Sequence, residues 1–387
     1  YNAINGFLLV PKHLDEANFT KPIEYKNKTA FDTDTANKGL YFGPYVITQV
    51  KPGSHVILER NSKWWGKKPF FKRIVVRVIG NTAALEANLL SGTIDMIAGE
   101  LGLTVDQAVA FERRHGEKFK ISYKAGLIYE HIDLNLDNPF LKDKRVRKAL
   151  LYALDRDLIV KQLFGGRQPV AHTSVSPLDW IVDKNAPAYK HDPKKAMKFL
   201  AEAGWKKRGR KLVNAKGEAL SFEIMTTAGN RSRELVEQVL QSQWRKIGID
   251  IRIKNQPARV FFGQTVTQRR FKAMAMFAWI SSPESVPRTT LHSDHIPSKE
   301  NNFAGQNYTG YKNPEMDHLL EKIEIELDRT KRKKLWHRFQ SIYADDLPVI
   351  PLYFRAEPYI LPKWLKGLEP TGHQDPSSLW VEHWYRN

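Results

Sequence analysis

Apolar residues along this chain return in two rhythms, and each rhythm predicts a different element. Over residues 314–327, Leu319, Leu320, Ile323 and Leu327 recur every three or four positions, the spacing of one helix face. Pro314, with its fixed φ, suits the first turn of that helix. Leu335, Phe339, Ile342 and Tyr343 repeat the rhythm on a second helix, whose solvated face is the basic run 331–334. Asp345, Asp346 and Pro348 stop it, and Val349, Ile350, Leu352, Tyr353 and Phe354 then read as a short buried strand.

The same two rhythms organise the rest of the chain. Clustered or alternating β-branched residues predict strands over 45–50, 56–59 and 74–78. A helix over 83–91 closed by Gly92, a short strand over 95–98 and a helix over 105–114 come next. Strand character returns at 121–123 and 129–136, and a long helix is expected over 144–164, closed by Gly165 and Gly166. Another helix, 233–247, ends at Gly248 before Ile249, Ile251 and Ile253 alternate as a strand. Helix, glycine, strand is the connection of a layered α/β fold. The run 273–279, AMAMFAW, predicts one more strand.

Several passages carry wording as well as rhythm. Gly43-Pro44-Tyr45 is followed by Leu58-Glu59-Arg60-Asn61 and by Trp64-Trp65-Gly66-Lys67. Residues 135–157 read NLDNPFLKDKRVRKALLYALDRD, and Asp192-Pro193 leads into AMKFLAEAG at 196–204. With the 307–353 passage, these resemble, in the same order, the family 5 solute-binding proteins, the dipeptide, oligopeptide and nickel receptors of ABC importers. The resemblance implies an α/β, two-lobed periplasmic-binding-protein-like clamp of type II. Residues 1–133 and 353–387 would form lobe I and 134–352 lobe II. In the family the segment ahead of the Gly-Pro-Tyr motif is much longer, and Tyr1 opens without the basic and apolar stretches of a signal peptide. Lobe I is therefore expected to be incomplete, its N-terminal portion missing together with part of the ligand cleft.

Composition narrows the alternatives. The longest apolar run, 273–280, is far short of the ~20 residues that cross a bilayer. With no cysteine, disulfides, thiolate catalysis and Cys-ligated zinc are excluded, and an oxidising periplasm is compatible. Net charge is 61 − 42 = +19, one footprint of nucleic-acid binding. Yet the chain has no zinc-finger spacing, no RNP-like strand and no helix-turn-helix pattern, so a basic periplasmic protein is the better reading. G-x-S-x-G, P-loop and G-x-G-x-x-G motifs are absent, which argues against an enzyme such as a secreted hydrolase. Asp345-Asp346 reads as a capping turn, and the His292, Asp294, His295 set as a loop without fixed metal geometry. No cofactor or metal is expected.

Function should lie in the cleft. In the peptide-binding members that this chain resembles, the edge formed by AMAMFAW pairs with the ligand backbone, and an Asp three residues beyond the Trp holds the ligand's α-amino group. Here that position is Ser282, with Ser281 beside it and Glu284 close enough to substitute. Trp279 is expected to touch ligand. By position, Tyr129, His131, Trp180, Asn307, Tyr308 and Tyr353 are further candidates, each with a flat face, a donor or an amide suited to a polar organic ligand. The resemblance thus implies a monomeric substrate-binding component that captures a short peptide or peptide-like solute between two lobes and delivers it to a membrane permease. A sugar or opine-type ligand is the alternative within the family.

Overall fold

The computed structural model describes residues 11–19, 28–99, 102–372 and 377–387. The chain divides into two compact units, one dominated by Ala125–Ala356 and the other made of Ile4–Lys124 with Glu357–Asn387. The boundaries fall near 124 and 356 rather than at 133 and 352, because both crossing segments are long strands whose buried middles belong to the larger unit.

In the smaller unit, strands β1 (Tyr45–Lys51), β2 (His55–Arg60) and β3 (Arg73–Arg77) form an antiparallel sheet in that order. Asn81 caps the helix Thr82–Leu90 by accepting from Ala84 N at 2.8 Å, and a second helix spans Val105–His115. β4 is only Ile97–Ala98, shorter than its apolar run suggests. It pairs with Tyr359 and Ile360, and Leu89, Leu103, Ala108 and Phe111 close a core around Ile97 and Ile360.

The larger unit is built on the strands β5 (Phe119–Leu134), β8 (Ser221–Met225), β9 (Asp250–Ile253), β10 (Met274–Ile280) and β11 (Val349–Pro362). Their order is β11-β5-β10-β8-β9; the short strands β6 (Lys206–Arg208) and β7 (Lys211–Val213) form a separate hairpin. β10 runs antiparallel to β5 along its whole length and parallel to β8 at its start. The two strand segments read at 121–123 and 129–136 are one continuous β5. β11 likewise runs past Phe354, the last residue of the apolar run, and Arg355 within it is met by Glu130 on β5.

The expected long helix over 144–164 is two helices, Lys144–Tyr152 and Arg156–Phe164. Asp155 breaks it: its backbone N–H donates to the Gln243 side chain at 2.7 Å, and its carboxylate accepts from Leu158 N at 2.8 Å as the second helix's N-cap. Gly248, at φ +94°, links the helix Arg231–Lys246 to β9, and a Cβ there would stand 3.3 Å from the Arg210 carbonyl oxygen. Only glycine suits both the conformation and the space. The helices Pro314–Ile325 and Arg329–Asp346 pack through Met316, Leu320, Ile323, Trp336, Phe339 and Tyr343.

Candidate functional site

β5 is buried on both faces from Gly126 to Leu134, yet it carries Glu130, His131 and Asp133. A strand's side chains alternate, so Leu127, Tyr129, His131 and Asp133 share one face and Ile128, Glu130 and Ile132 the other. The first face opens on a pocket of about 180 Å³. Its second wall is the end of β10 with the two serines beyond it, Trp279 to Ser282, and its rim comes from the loops carrying Ser174 to Ile181 and Ser285 to Leu291. Gln306, Trp336 and Tyr343 complete it.

Polar groups on the β5 face are linked. Tyr129 and Tyr343 hydroxyls lie 3.1 Å apart, and the Tyr129 ring stacks on His131 with centroids 5.0 Å apart. His131 Nε2 is 3.1 Å from Asp133 Oδ1, and Nδ1 is 3.2 Å from the Tyr129 carbonyl oxygen, so each ring nitrogen faces an oxygen. Burial pushes both tyrosine hydroxyls well above the ordinary phenol range, which keeps them neutral donors. On the opposite face Glu130 accepts from Arg233 Nε at 3.2 Å and from Arg355 Nε at 2.8 Å. The two guanidiniums outweigh its burial and hold its carboxyl below the usual range.

β10 is not an edge strand along its whole length. β8 partners it only at Met274 and Ala275, however, so among the described residues the stretch from Phe277 to Ile280 is laddered on the β5 side alone. The strand leads into Ser281 and Ser282, which line the pocket.

The family model of bacterial extracellular solute-binding proteins, family 5 (middle), matches residues 6–297. The chain belongs to this family. The oligopeptide-binding protein AppA of Bacillus subtilis (strain 168) is 30% identical over 99% of this chain, which spans 68% of AppA. An oligopeptide-binding protein from Thermus thermophilus, solved with a pentapeptide, is 31% identical with a TM-score of 0.70, over 97% of this chain and 69% of that one. NikZ from Campylobacter jejuni, solved with Ni(L-His), is 28% identical with a TM-score of 0.75, over 97% of this chain and 72% of that one. The fold of residues 125–356 is thus that of a family 5 binding protein.

Of the residues singled out from the sequence, Tyr129, His131, Trp279, Ser281 and Ser282 line this pocket together. The other five have different surroundings. Asn307 is wholly buried and donates to the carbonyls of Leu291, His292 and Tyr311 while accepting from Tyr311 N at 3.0 Å, so its amide holds loops together. Tyr308 stacks against Trp279 at 6.1 Å and braces it from the core side. Tyr353 packs on Phe164 at 5.1 Å. Trp180 donates its indole N–H to Glu284 and lies under the Arg329 guanidinium, 4.2 Å from the ring.

Glu284 departs most from expectation. Its carboxylate is taken up by Trp180 and by Arg332, whose Nε lies 3.2 Å away, and its backbone, at φ +55°, donates N–H to Asp179 at 2.7 Å. A carboxylate already matched by a buried guanidinium has little charge left for a ligand. Asp133, Asp179, Trp336, Tyr343 and the hydroxyls of Ser174, Ser176, Ser285, Thr289 and Thr290 also line the pocket and escaped the sequence reading. An acid inside an otherwise apolar strand was the available signal for Asp133. Among the described residues no group of three or more His, Asp or Glu side chains is placed to hold a metal ion, and no helix is long and apolar enough to cross a membrane.

Proposed function

We propose that this chain is the substrate-binding component of an ABC importer, taking a short peptide or peptide-like solute into the pocket of residues 125–356 and passing it to a membrane permease. It acts in the periplasm, as a monomer, and without chemical turnover. The observation that carries this reading is the pocket itself. A strand end laddered on one side offers backbone groups to an extended peptide, beside neutral tyrosines and a ring of hydroxyls. Relatives at about 30% identity solved with peptides support it. The serine- and threonine-rich rim favours one second reading, a sugar or opine-type solute bound through its hydroxyls.

Mass spectrometry of solute released when the purified protein is denatured tests both readings. A stoichiometric short peptide is the expected result. A released sugar conjugate selects the second reading. No released solute, together with no calorimetric heat on adding a pool of tri- to pentapeptides, overturns both.

A further inference from the structure

The fifteen residues between Glu202 and Glu218 hold six cations and no acid. Five of the six, Lys206, Lys207, Arg208, Arg210 and Lys211, fall on the hairpin of β6 and β7, and all five are exposed. The register sets Arg208 directly opposite Lys211 across the two-residue turn Gly209-Arg210, with Gly209 at the positive φ of +60° that such a turn requires. Like charges directly opposite each other weaken a strand pair. No acid offsets them here. Among the described residues none of the five has an ion-pair partner, and the flanking acids are engaged elsewhere, Glu202 with Lys198 at 4.0 Å and Glu218 with Asn214 Nδ2 at 2.7 Å. The hairpin is nonetheless fixed at its base: Trp205 is buried against Phe140, Leu212 is buried, and Leu212 N donates to the Gly248 carbonyl at 3.0 Å. That bond seats it beside the last turn of the helix Arg231–Lys246, where Arg245 and Lys246 are exposed and likewise without an acidic partner among the described residues.

We propose that this patch, the β6–β7 hairpin with the end of the helix Arg231–Lys246, docks the protein on an anionic phospholipid surface. Opposite residues of a strand pair share a face, so Lys206, Arg208 and Lys211 project together on the side away from the buried Leu212. Their mutual repulsion is relieved when an external array of negative charge faces them. An exposed hairpin tip offers no cavity to hold a small anion, and none of these residues lines the pocket described above. Nucleic acid is the poorer match, because single strands are gripped through aromatic ring faces and the aromatic residue at the hairpin's base, Trp205, is buried. A bilayer asks for neither cavity nor ring. Each Lys or Arg near an anionic membrane surface adds to the attraction, which falls off within a Debye length.

The test is cosedimentation of the full chain with vesicles of phosphatidylcholine alone or mixed with phosphatidylglycerol. At about 0.05 M salt, where screening is weak, the bound-to-free ratio should be at least tenfold higher on the anionic vesicles, and about 0.5 M salt should release the protein. The combined variant Lys206→Gln, Lys207→Gln, Arg208→Gln, Arg210→Gln, Lys211→Gln should lose that preference. A control with five exposed lysines of the smaller unit changed, Lys63→Gln, Lys67→Gln, Lys68→Gln, Lys118→Gln, Lys120→Gln, alters net charge equally and should keep it. Independently of how the variants fold, acylation of wild-type Lys206, Lys207 and Lys211 should slow when anionic vesicles are added, while that of Lys63 and Lys67 does not. No preference for anionic vesicles, equal losses in the two variants, or unchanged labelling of the hairpin lysines overturns the docking surface and leaves the solute-binding reading intact. Tighter retention on single-stranded DNA than on anionic vesicles at the same salt overturns the bilayer in favour of nucleic acid.

Discussion

Glu237 sits wholly buried on the helix Arg231–Lys246, with Asn255 Nδ2 donating to Oε2 at 2.7 Å and, among the described residues, no partner on Oε1. Burial pushes its carboxyl up to about 7. An acid whose folded pKa stands above its unfolded value holds its proton more tightly in the folded chain. The fold therefore has that advantage in full below the ordinary carboxylate range and loses it as the pH climbs through about 7. Glu237→Gln removes the titration and should be more stable than wild type at pH 8, by at most ~3 kcal/mol at 1.36 kcal/mol per pKa unit, with the gap closing by pH 4. Urea unfolding at both values checks this, and a gap that does not change with pH argues against it.

The residue scale is also where the sequence was least legible. Trp279 and its two nearby serines were readable from motif position, and the β5 face from its aromatic and imidazole side chains. Asn307 and Tyr353 carry the same chemical tokens as a ligand contact but spend them on loop carbonyls and core packing. Asp179 lies in a stretch without periodicity, whose path is decided by its Ser176, Glu284 and Ile181 bonds. No local pattern announces such a residue.

At the scale of elements, hydrophobic rhythm predicted most helices and strands to within a few residues and failed where a distant partner intervened. Asp155 shows the reason. Its helical hydrogen bond is replaced by one to Gln243, 88 positions along the chain, and that exchange splits one helix into two. Asp155→Ala should remove the cap on Leu158 N and cost about 1 kcal/mol of unfolding free energy. Chemical denaturation measures it. A variant as stable as wild type would show that the break is held by Gln243 alone. β11 makes the same point in reverse, since the strand runs on beyond its apolar stretch through Arg355, which Glu130 meets across the sheet.

For the whole molecule, motif order implied a two-part α/β protein, and the structure divides within the two long strands. Any solute that binds only the folded chain stabilises it by mass action, about 2.7 kcal/mol at a concentration one hundred times its dissociation constant. Adding back the solute released on denaturation should raise the midpoint of thermal unfolding accordingly. Hydrogen exchange should slow at 127–133, 174–181 and 279–291, the segments that line the pocket. Protection elsewhere with none at these segments would move the site.

The charges buried behind β5 bear on how the chain avoids misfolding. A strand that slips by one residue turns each side chain to the opposite face. In β5 that error would turn Glu130 into the pocket, press His131 and Asp133 against the core, and strand Arg233 and Arg355 without a counter-charge. Leaving buried charges unpaired costs several kcal/mol, so the misaligned sheet is heavily penalised although its apolar residues are nearly interchangeable. The Glu130 cluster thus acts as a parity check on β-sheet assembly, written on the side of the strand that faces away from the pocket.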